Sequence, residues 1–269
     1  MQPKIAMCNI YNDIHQLRDF AREHGFDGID WSFEIETLPS TPSEESGWIR
    51  DMALLDPFEV RYHCPFHRID IGHNDPEKAK FALSIFSKII RLIARRGGGY
   101  LSIHVGLGRN STVPLSWDTT IENLKTLVQY GLERKVRVCL ENLAWGWTSK
   151  PNLFEKLIRR SGAWVTIDIG HAVVCESVSS QQYHVADFIR PHAERLIEAH
   201  LYDRETEEGH IPPERLSDIE DRLDLLLKTD CNWWVIEIRE VVGLLRTKKI
   251  IDEYLGKTEV RDRRTEVSG

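Results

Sequence analysis

The chain alternates short apolar runs with longer segments whose apolar residues recur at helical spacing. After the first run, for example, Ile14, Leu17 and Phe20 fall on one face of a helix, and Gly25 follows as a stop signal. Alternation of strand and helix patterns is typical of a parallel sheet. The eight apolar runs that we interpret as strands are 4–11, 26–34, 59–66, 100–106, 136–146, 164–172, 197–203 and 233–240.

Eight strand–helix units in 269 residues predict an α/β fold, a single-domain (β/α)8 TIM barrel. A doubly wound open sheet, the competing fold, would place a glycine-rich phosphate turn after the first strand. The sequence there reads NIYND, and no GxGxxG motif occurs in the chain. We therefore predict a barrel over residues 1–256 and a charged, flexible tail over residues 257–269, with a helix near 181–196 before the seventh strand.

Composition narrows the class of protein. The chain is 41% hydrophobic and 29% charged, as ordinary globular proteins are, and its net charge of −7 argues against a nucleic-acid partner. Charged residues interrupt the apolar runs, and the N-terminus lacks a signal-peptide pattern, so we expect no membrane segment. Five widely spaced cysteines without a CxxC pair indicate reduced thiols in the cytoplasm. Whether the chain forms a homo-oligomer is left open.

Polar side chains of the types that can bind metals lie at the ends of six consecutive predicted strands. In a TIM barrel the C-terminal strand ends meet on one face, which is where active sites lie. Residues far apart in sequence are therefore expected to lie close together in space. These strand-end residues are His63, His104, Glu141, Asp168, His200 and Glu237, and His171 follows Asp168 closely.

Each of these residues, taken alone, has an ordinary structural explanation, such as a hydrogen-bonded histidine or a salt-bridged strand end. Together, acids and imidazoles crowded into one barrel mouth would resist desolvation, and a divalent cation resolves that conflict. The acids Glu141, Asp168 and Glu237 with His200 form a mixed oxygen and nitrogen set. Such a set suits Mn²⁺, Zn²⁺, Mg²⁺ or Co²⁺ rather than a thiolate site. We predict one divalent ion and leave a second open.

Four short motifs resemble those of the xylose isomerase-like TIM barrels. They are VCLENL, TIDIGHA, EAHLYD and VIEI, one per strand and in the family's order, and the resemblance covers roughly residues 4–255. This superfamily contains sugar phosphate isomerases, sugar epimerases and endonuclease IV. The resemblance implies that Glu141, Asp168, His200 and Glu237 are the shared metal ligands. It also makes His171 the substrate-contacting histidine of the epimerases, a position that in endonuclease IV binds an additional zinc.

The resemblance implies a metal-dependent isomerase or epimerase acting on a small sugar, sugar phosphate or hydroxyketone in carbohydrate metabolism. The metal would polarise the carbonyl, and Glu141 and Glu237 would move the proton as the catalytic pair. We expect His63, His104, His171 and His210 to bind substrate. A non-catalytic barrel that binds a metal or ligand is one alternative.

The second alternative is an endonuclease IV-like hydrolase of abasic DNA. His63 and His104 match positions that bind extra zinc ions in that nuclease. Its Asp-x-His pair, however, has Glu208-Gly209-His210 as the nearest match here, with a different acid and a shorter spacing from His200. Because GHIPPERL looks more like the loop of the sugar isomerase-like members, the resemblance favours the isomerase.

Overall fold

A computed structural model describes residues 2–65, 69–106 and 112–266, with residues 259–266 as backbone only. Eight parallel strands pair edge to edge in the order β1-β10-β7-β6-β5-β4-β3-β2 and close into a barrel. The predicted TIM barrel is thus confirmed. The barrel strands are β1 (Lys4–Cys8), β2 (Gly28–Ser32), β3 (Glu59–His63), β4 (Gly99–Ile103), β5 (Val136–Glu141), β6 (Trp164–Asp168), β7 (Leu196–Leu201) and β10 (Trp233–Ile236).

In the described part of the chain, ten α-helices connect or follow the strands. They are α1 (Ile14–Glu23), α2 (Pro42–Ala53), α3 (Pro76–Arg95), α4 (Trp117–Leu132), α5 (Pro151–Ser161), α6 (Ile169–Val174), α7 (Glu176–Ser179), α8 (Ala186–Ile189), α9 (Glu220–Leu226) and α10 (Val241–Glu266). Short 3₁₀ turns lie at Ile35–Thr37, Arg190–His192 and Leu216–Asp218. Among the described residues, no helix has the length and apolar character that crossing a membrane requires.

Local sequence explains where several helices begin and end. The Asp13 carboxylate accepts hydrogen bonds from the first backbone N–H groups of α1. Thr41 and Glu44 form a capping box at the start of α2. Gly162 ends α5 in the left-handed conformation, with a φ of 78°, that glycine adopts without steric cost.

Three segments differ from the sequence pattern. Residues 181–196, predicted as one helix, contain the short α8, a 3₁₀ turn and the first residue of β7, and Pro191 prevents α8 from continuing. The loop after β7 forms an antiparallel hairpin of β8 (Arg204–Thr206) and β9 (Gly209–Ile211), which we call the hairpin. Helix α10 continues past residue 256, and the division of the chain at that point stays a prediction.

The barrel interior differs in chemistry from the core outside it. Alternate strand residues face opposite sides, so Trp234 joins the apolar core between strands and helices, whereas Trp233 packs in a separate inner cluster with Ala6 and Val235. Further along the barrel, five buried polar side chains form what we call the interior polar layer. Its members are Asp30, Arg61, Ser102, Thr166 and Glu198. The five cysteines, all in described segments, are buried and unpaired.

The close approach of β2 to the inner cluster generates a stability prediction. A Cβ on Gly28 would lie 2.2 Å from the ring of Trp233 and 2.5 Å from the backbone oxygen of Glu59. We expect Gly28→Ala to lower the free energy of unfolding by about 1–3 kcal/mol, the usual cost of overpacking. Gly256→Ala is the control, because nothing lies within 4 Å of its Cβ position in α10. It should raise stability by up to about 1 kcal/mol. Urea unfolding measures both, and an unchanged midpoint for Gly28→Ala would contradict the packing.

Candidate metal centre and active site

Four side chains from neighbouring strands converge at the C-terminal face of the barrel. Glu141 ends β5, Asp168 ends β6, His200 lies near the end of β7, and Glu237 follows β10. One ligand atom from each lies within 4.8 Å of the corresponding atoms of the other three. Pairing of β6 with β7 places Asp168 opposite His200, so the barrel register itself builds the cluster. We call these residues the four-residue cluster.

The imidazole of His200 lies among the three carboxylates. Its Nδ1 atom is 3.2 Å from Glu237 Oε2, 3.4 Å from Glu141 Oε1 and 4.0 Å from Asp168 Oδ2. Glu141, Asp168 and His200 are almost fully buried. Nδ1 makes no hydrogen bond of good geometry to any described residue, although it is buried. Three buried carboxylates and an imidazole nitrogen directed at one point are a donor set that fits a divalent cation.

His63 and His104 extend the site on one side. Both Nε2 atoms donate to the same oxygen, Glu141 Oε2, at 3.1 Å, and the two rings are 4.7 Å apart. The thiol of Cys64 lies within 4.8 Å of a donor atom of each ring. Glu141 therefore joins the four-residue cluster to this histidine pair. The spacing of the cysteines along the sequence does not predict that Cys64 lies beside these two histidines.

His171 and His210 lie on the other side. His171 Nε2 is 3.1 Å from Glu205 Oε2, and its Nδ1 is 3.3 Å from Asp168 Oδ2. His210 stacks on Tyr202 at 3.9 Å, and its Nδ1 donates to the backbone oxygen of Glu237. All four histidines predicted to bind substrate therefore lie beside the four-residue cluster.

The acid that meets these histidines is Glu205 rather than Glu208. Glu205 on β8 pairs with His210 on β9 across the hairpin, whereas Glu208 lies exposed in the turn between them. The sequence pattern pointed to Glu208 because it stands two residues before His210. An antiparallel pairing brings a more distant residue opposite the histidine, and spacing along the chain does not show that pairing.

Other contacts orient Asp168. The Tyr202 hydroxyl donates to Asp168 Oδ2 at 2.9 Å, and the backbone N–H of His171 donates to Oδ1 at 2.7 Å. The Asn142 side chain donates from Nδ2 to the Asp168 backbone oxygen and accepts at Oδ1 from the Asp168 backbone N–H. Gly170 allows this packing, because a Cβ there would meet the Tyr202 ring at 2.1 Å. Asn142 directly follows β5 and Tyr202 directly follows β7, two strands that carry members of the four-residue cluster. Their position beside those strand ends could have identified them from the sequence.

Burial and mutual charge set the protonation of the site. Burial would raise the pKa of Glu141, but His200 and His104 hold it well below its ordinary value. Burial raises the pKa of Asp168 to about 6, against the opposing effect of His171. Burial would lower the pKa of His63 and of His171, yet hydrogen bonding and charge from Glu141 raise the first to about 9, and Asp168 and Glu205 raise the second to about 10. Without an ion, the imidazoles themselves neutralise the acids.

Two cavities open beside the cluster. One of about 590 Å³ contains His63, Glu205, His210 and Glu237 in its wall. The other, of about 1180 Å³, contains Trp145 and shares Glu205 with the first. Glu237 is the member of the four-residue cluster that lines the smaller cavity, so a ligand there would reach the cluster from the Glu237 side.

Comparison with known proteins gives one family match. The model of the xylose isomerase-like TIM barrel family matches residues 18–254. An uncharacterised protein of Methanocaldococcus jannaschii is 27% identical over 196 residues, which cover 73% of this chain and 80% of that protein.

Solved structures share the fold across different chemistries. The 3-keto-D-glucoside 4-epimerase of E. coli superposes with a TM-score of 0.69 at 15% identity, covering 95% of this chain and 100% of that chain. Endonuclease IV of Thermus thermophilus superposes with a TM-score of 0.67 at 16% identity, covering 95% and 100%. At such identities the likeness establishes the fold alone.

The raised histidine pKa values predict a pH dependence for the metal-free protein. Histidine in an unfolded chain has a pKa of about 6.5. In the fold, the pKa is raised to about 9 for His63 and to about 10 for His171. Their contribution to stability is therefore complete below about pH 6.5 and is lost as pH rises through 9 to 10. We expect the free energy of unfolding, measured in urea after chelation, to fall over that range. His63→Asn should flatten the slope, whereas the exposed control His15→Asn should not. Identical slopes for both variants would contradict the assignment.

Proposed function

The chain belongs to the xylose isomerase-like TIM barrel family, and from that membership we propose that it is a divalent-metal-dependent isomerase or epimerase of a small sugar or hydroxyketone. The observation that carries the proposal is the four-residue cluster, whose Glu237 opens into a cavity while Glu141 stays buried behind it. One carboxylate thus faces the substrate space, and a second lies within reach of the same imidazole. Such a pair suits the removal and return of a proton.

In this mechanism Glu141, Asp168, His200 and Glu237 would hold the ion, which supplies Lewis-acid polarisation of a substrate carbonyl. The Glu237 carboxylate removes a proton from the carbon beside that carbonyl. His200 and His210 lower the pKa of Glu237 against the effect of burial, so the group is ionised and ready to accept the proton. Glu237 then returns that proton to the neighbouring carbon, or Glu141, after taking up a proton from His63 Nε2 at 3.1 Å, delivers it to the opposite face of the same carbon.

The four flanking histidines would orient substrate oxygens. His63 and His104 donate to Glu141 and His171 contacts Glu205, so their rings are held in place before substrate arrives. Fixed donors and acceptors cost less reorganisation when the substrate binds. His210, whose side chain is 24% exposed, is the most accessible of the four.

The cavity wall favours an uncharged substrate over a phosphate ester. Its described lining contains five glutamates and one arginine; these are Glu34, Glu205, Glu208, Glu237, Glu240 and Arg239. This charge balance repels phosphate groups, whereas carboxylates accept hydrogen bonds from sugar hydroxyls. A neutral sugar or hydroxyketone therefore fits the described wall better than a sugar phosphate does.

The five cysteines, all in described segments, are unpaired, which suits a reducing compartment. We therefore propose that the enzyme is cytoplasmic.

Hydrolysis of abasic DNA is the second candidate. It is favoured by further groups of metal-binding atoms beside the four-residue cluster, namely His63–Cys64–His104 and Asp168–His171–His210. The net charge of −7 and the acidic wall oppose it, because affinity for nucleic acid depends on contacts from Lys and Arg to phosphates.

A deuterium-exchange assay separates the two candidates. Ketoses, ketose phosphates and hydroxypyruvate are incubated in D₂O with Mn²⁺ and the protein, and NMR detects deuterium beside the carbonyl. A parallel sample contains a duplex with an abasic site. We expect deuterium uptake and no strand cleavage. Strand cleavage at the abasic site, with no deuterium uptake in any sample, would contradict the isomerase proposal and support the nuclease.

Removing the carboxylate that lines the smaller cavity tests the catalytic assignment. We expect Glu237→Gln to lower the rate of exchange at saturating metal by about 10²–10⁴-fold, the usual contribution of a general base. Glu141→Gln should have an effect of the same order. The matched control is Glu208→Gln, which removes an exposed glutamate from the same cavity wall. A rate for Glu237→Gln equal to that of the control would exclude Glu237 as the base.

Removing one predicted ligand tests the metal site. We expect Asp168→Asn to weaken Mn²⁺ binding by more than about 100-fold, beyond the effect of losing an outer contact. The variant should stay folded, because the asparagine oxygen still accepts the His171 backbone N–H that caps α6. Elemental analysis and calorimetry measure the bound metal. A full equivalent retained by Asp168→Asn would show that the ligand set is wrong.

A further inference from the structure

A buried carboxylate contacts His200 on the side away from the barrel mouth. Glu198 stands two residues before His200 on β7, so both side chains face the barrel interior. Glu198 Oε1 is 3.1 Å from His200 Nε2. Both side chains have no solvent exposure. Glu198 is the first residue of the motif EAHLYD, but the strand-end argument assigns a role only to His200, two residues later.

The interior polar layer holds the Glu198 carboxylate in a fixed position. The Ser102 hydroxyl donates to Glu198 Oε1 at 3.1 Å, and Arg61 Nη1 lies 3.9 Å from Oε2. Arg61 is itself fixed, since it donates to the Ile197 carbonyl at 2.8 Å and packs over the Trp233 ring. A carboxylate beside a hydroxyl donor and a guanidinium acts as an acceptor, so the His200 nitrogen facing it must carry the proton.

This arrangement determines which nitrogen of His200 is free to bind a cation. A neutral imidazole has one N–H and one lone pair, and the hydrogen bond at one nitrogen selects the tautomer. With Nε2–H donating to Glu198, the lone pair lies on Nδ1. Nδ1 is the atom directed at Glu141 and Glu237. Histidines that bind metals commonly donate their other N–H to a carboxylate in this way.

We propose that Glu198 is a positioning residue that holds His200 in the Nε2–H tautomer and thereby makes Nδ1 the metal-binding atom. The inference rests on the proposed function only in taking His200 as a metal ligand. It assigns a role to a buried carboxylate that the isomerase chemistry itself does not use.

Asp30 offers a matched control. It lies in the same interior polar layer, and its ligand atom is within 4.8 Å of those of Glu198 and His200. Neither of its carboxylate oxygens has a hydrogen-bond partner among the described residues. Asp30→Asn therefore removes an interior carboxylate near His200 without removing the hydrogen bond at Nε2. Asp30, Glu198 and His200 could together bind a cation only if the lone pair of His200 were on Nε2. The proposal places that lone pair on Nδ1.

The test measures metal affinity and not activity. Chelated wild type, Glu198→Gln, Glu198→Asp and Asp30→Asn are titrated with Mn²⁺ by calorimetry, with folding checked by circular dichroism. We expect Glu198→Gln to weaken binding by about 10–100-fold, because the amide also donates to Nε2 and releases the tautomer. Glu198→Asp, which keeps the charge, should recover part of that affinity, and Asp30→Asn should bind as wild type does. An equal loss in Glu198→Gln and Asp30→Asn would overturn the proposal.

A crystal structure of the Mn²⁺-loaded wild type decides the question even if Glu198→Gln does not fold. We expect Nδ1 of His200 at the ion and Nε2 on Glu198. An ion on Nε2, or a second Mn²⁺ between Asp30 and Glu198, would overturn the proposal. Failure of the isomerase function would look different: the affinity pattern would hold while the deuterium assay showed no exchange.

Discussion

The burial of three carboxylates around one imidazole is the interaction on which the mouth of this barrel depends. Burying a carboxylate is costly unless it is paired, and here Glu141, Asp168 and Glu237 converge within a few ångströms of His200 Nδ1. Imidazoles provide the opposite charge in the ion-free protein, which is why several of their pKa values are raised. A divalent cation would replace that scattered positive charge with one concentrated charge. Folding and metal binding therefore draw on the same side chains.

The sequence predicts the barrel and its four-residue cluster well, for a geometric reason. Apolar runs reveal parallel strands, and the C-terminal ends of parallel strands must meet on one face, so Glu141, Asp168 and His200 follow directly from their positions. Glu205 could not be predicted in the same way, because it reaches His171 through an antiparallel hairpin that local spacing does not reveal. Glu198 and Asp30 lie inside the strands and not at their C-terminal ends, so the strand-end argument does not reach them.

Epimerases and endonuclease IV are among the structures that share this fold, and the residues of the mouth bear on which chemistry is proposed here. Additional histidines and acids beside the four-residue cluster are compatible with more than one ion, as a hydrolase would use. The acidic wall and the paired glutamates fit proton transfer on a neutral substrate better. Because a barrel of this kind accepts many reactions, the choice depends on a small number of charges around the cavity and not on the scaffold.

The hairpin carries two of the groups that contact the site, Glu205 and His210, on a ribbon outside the barrel sheet. The four-residue cluster stands at the ends of the barrel strands, which are constrained by the core on both sides. In the ribbon, Glu205 and His210 are held by His171 and Tyr202, whereas Arg204 and Thr206 are exposed, so such positions can change while the four-residue cluster stays intact. Selection for a new substrate would therefore act first on this separable segment. In descendants of this protein, specificity can change by replacement of about ten contiguous residues, within the range common for connecting loops.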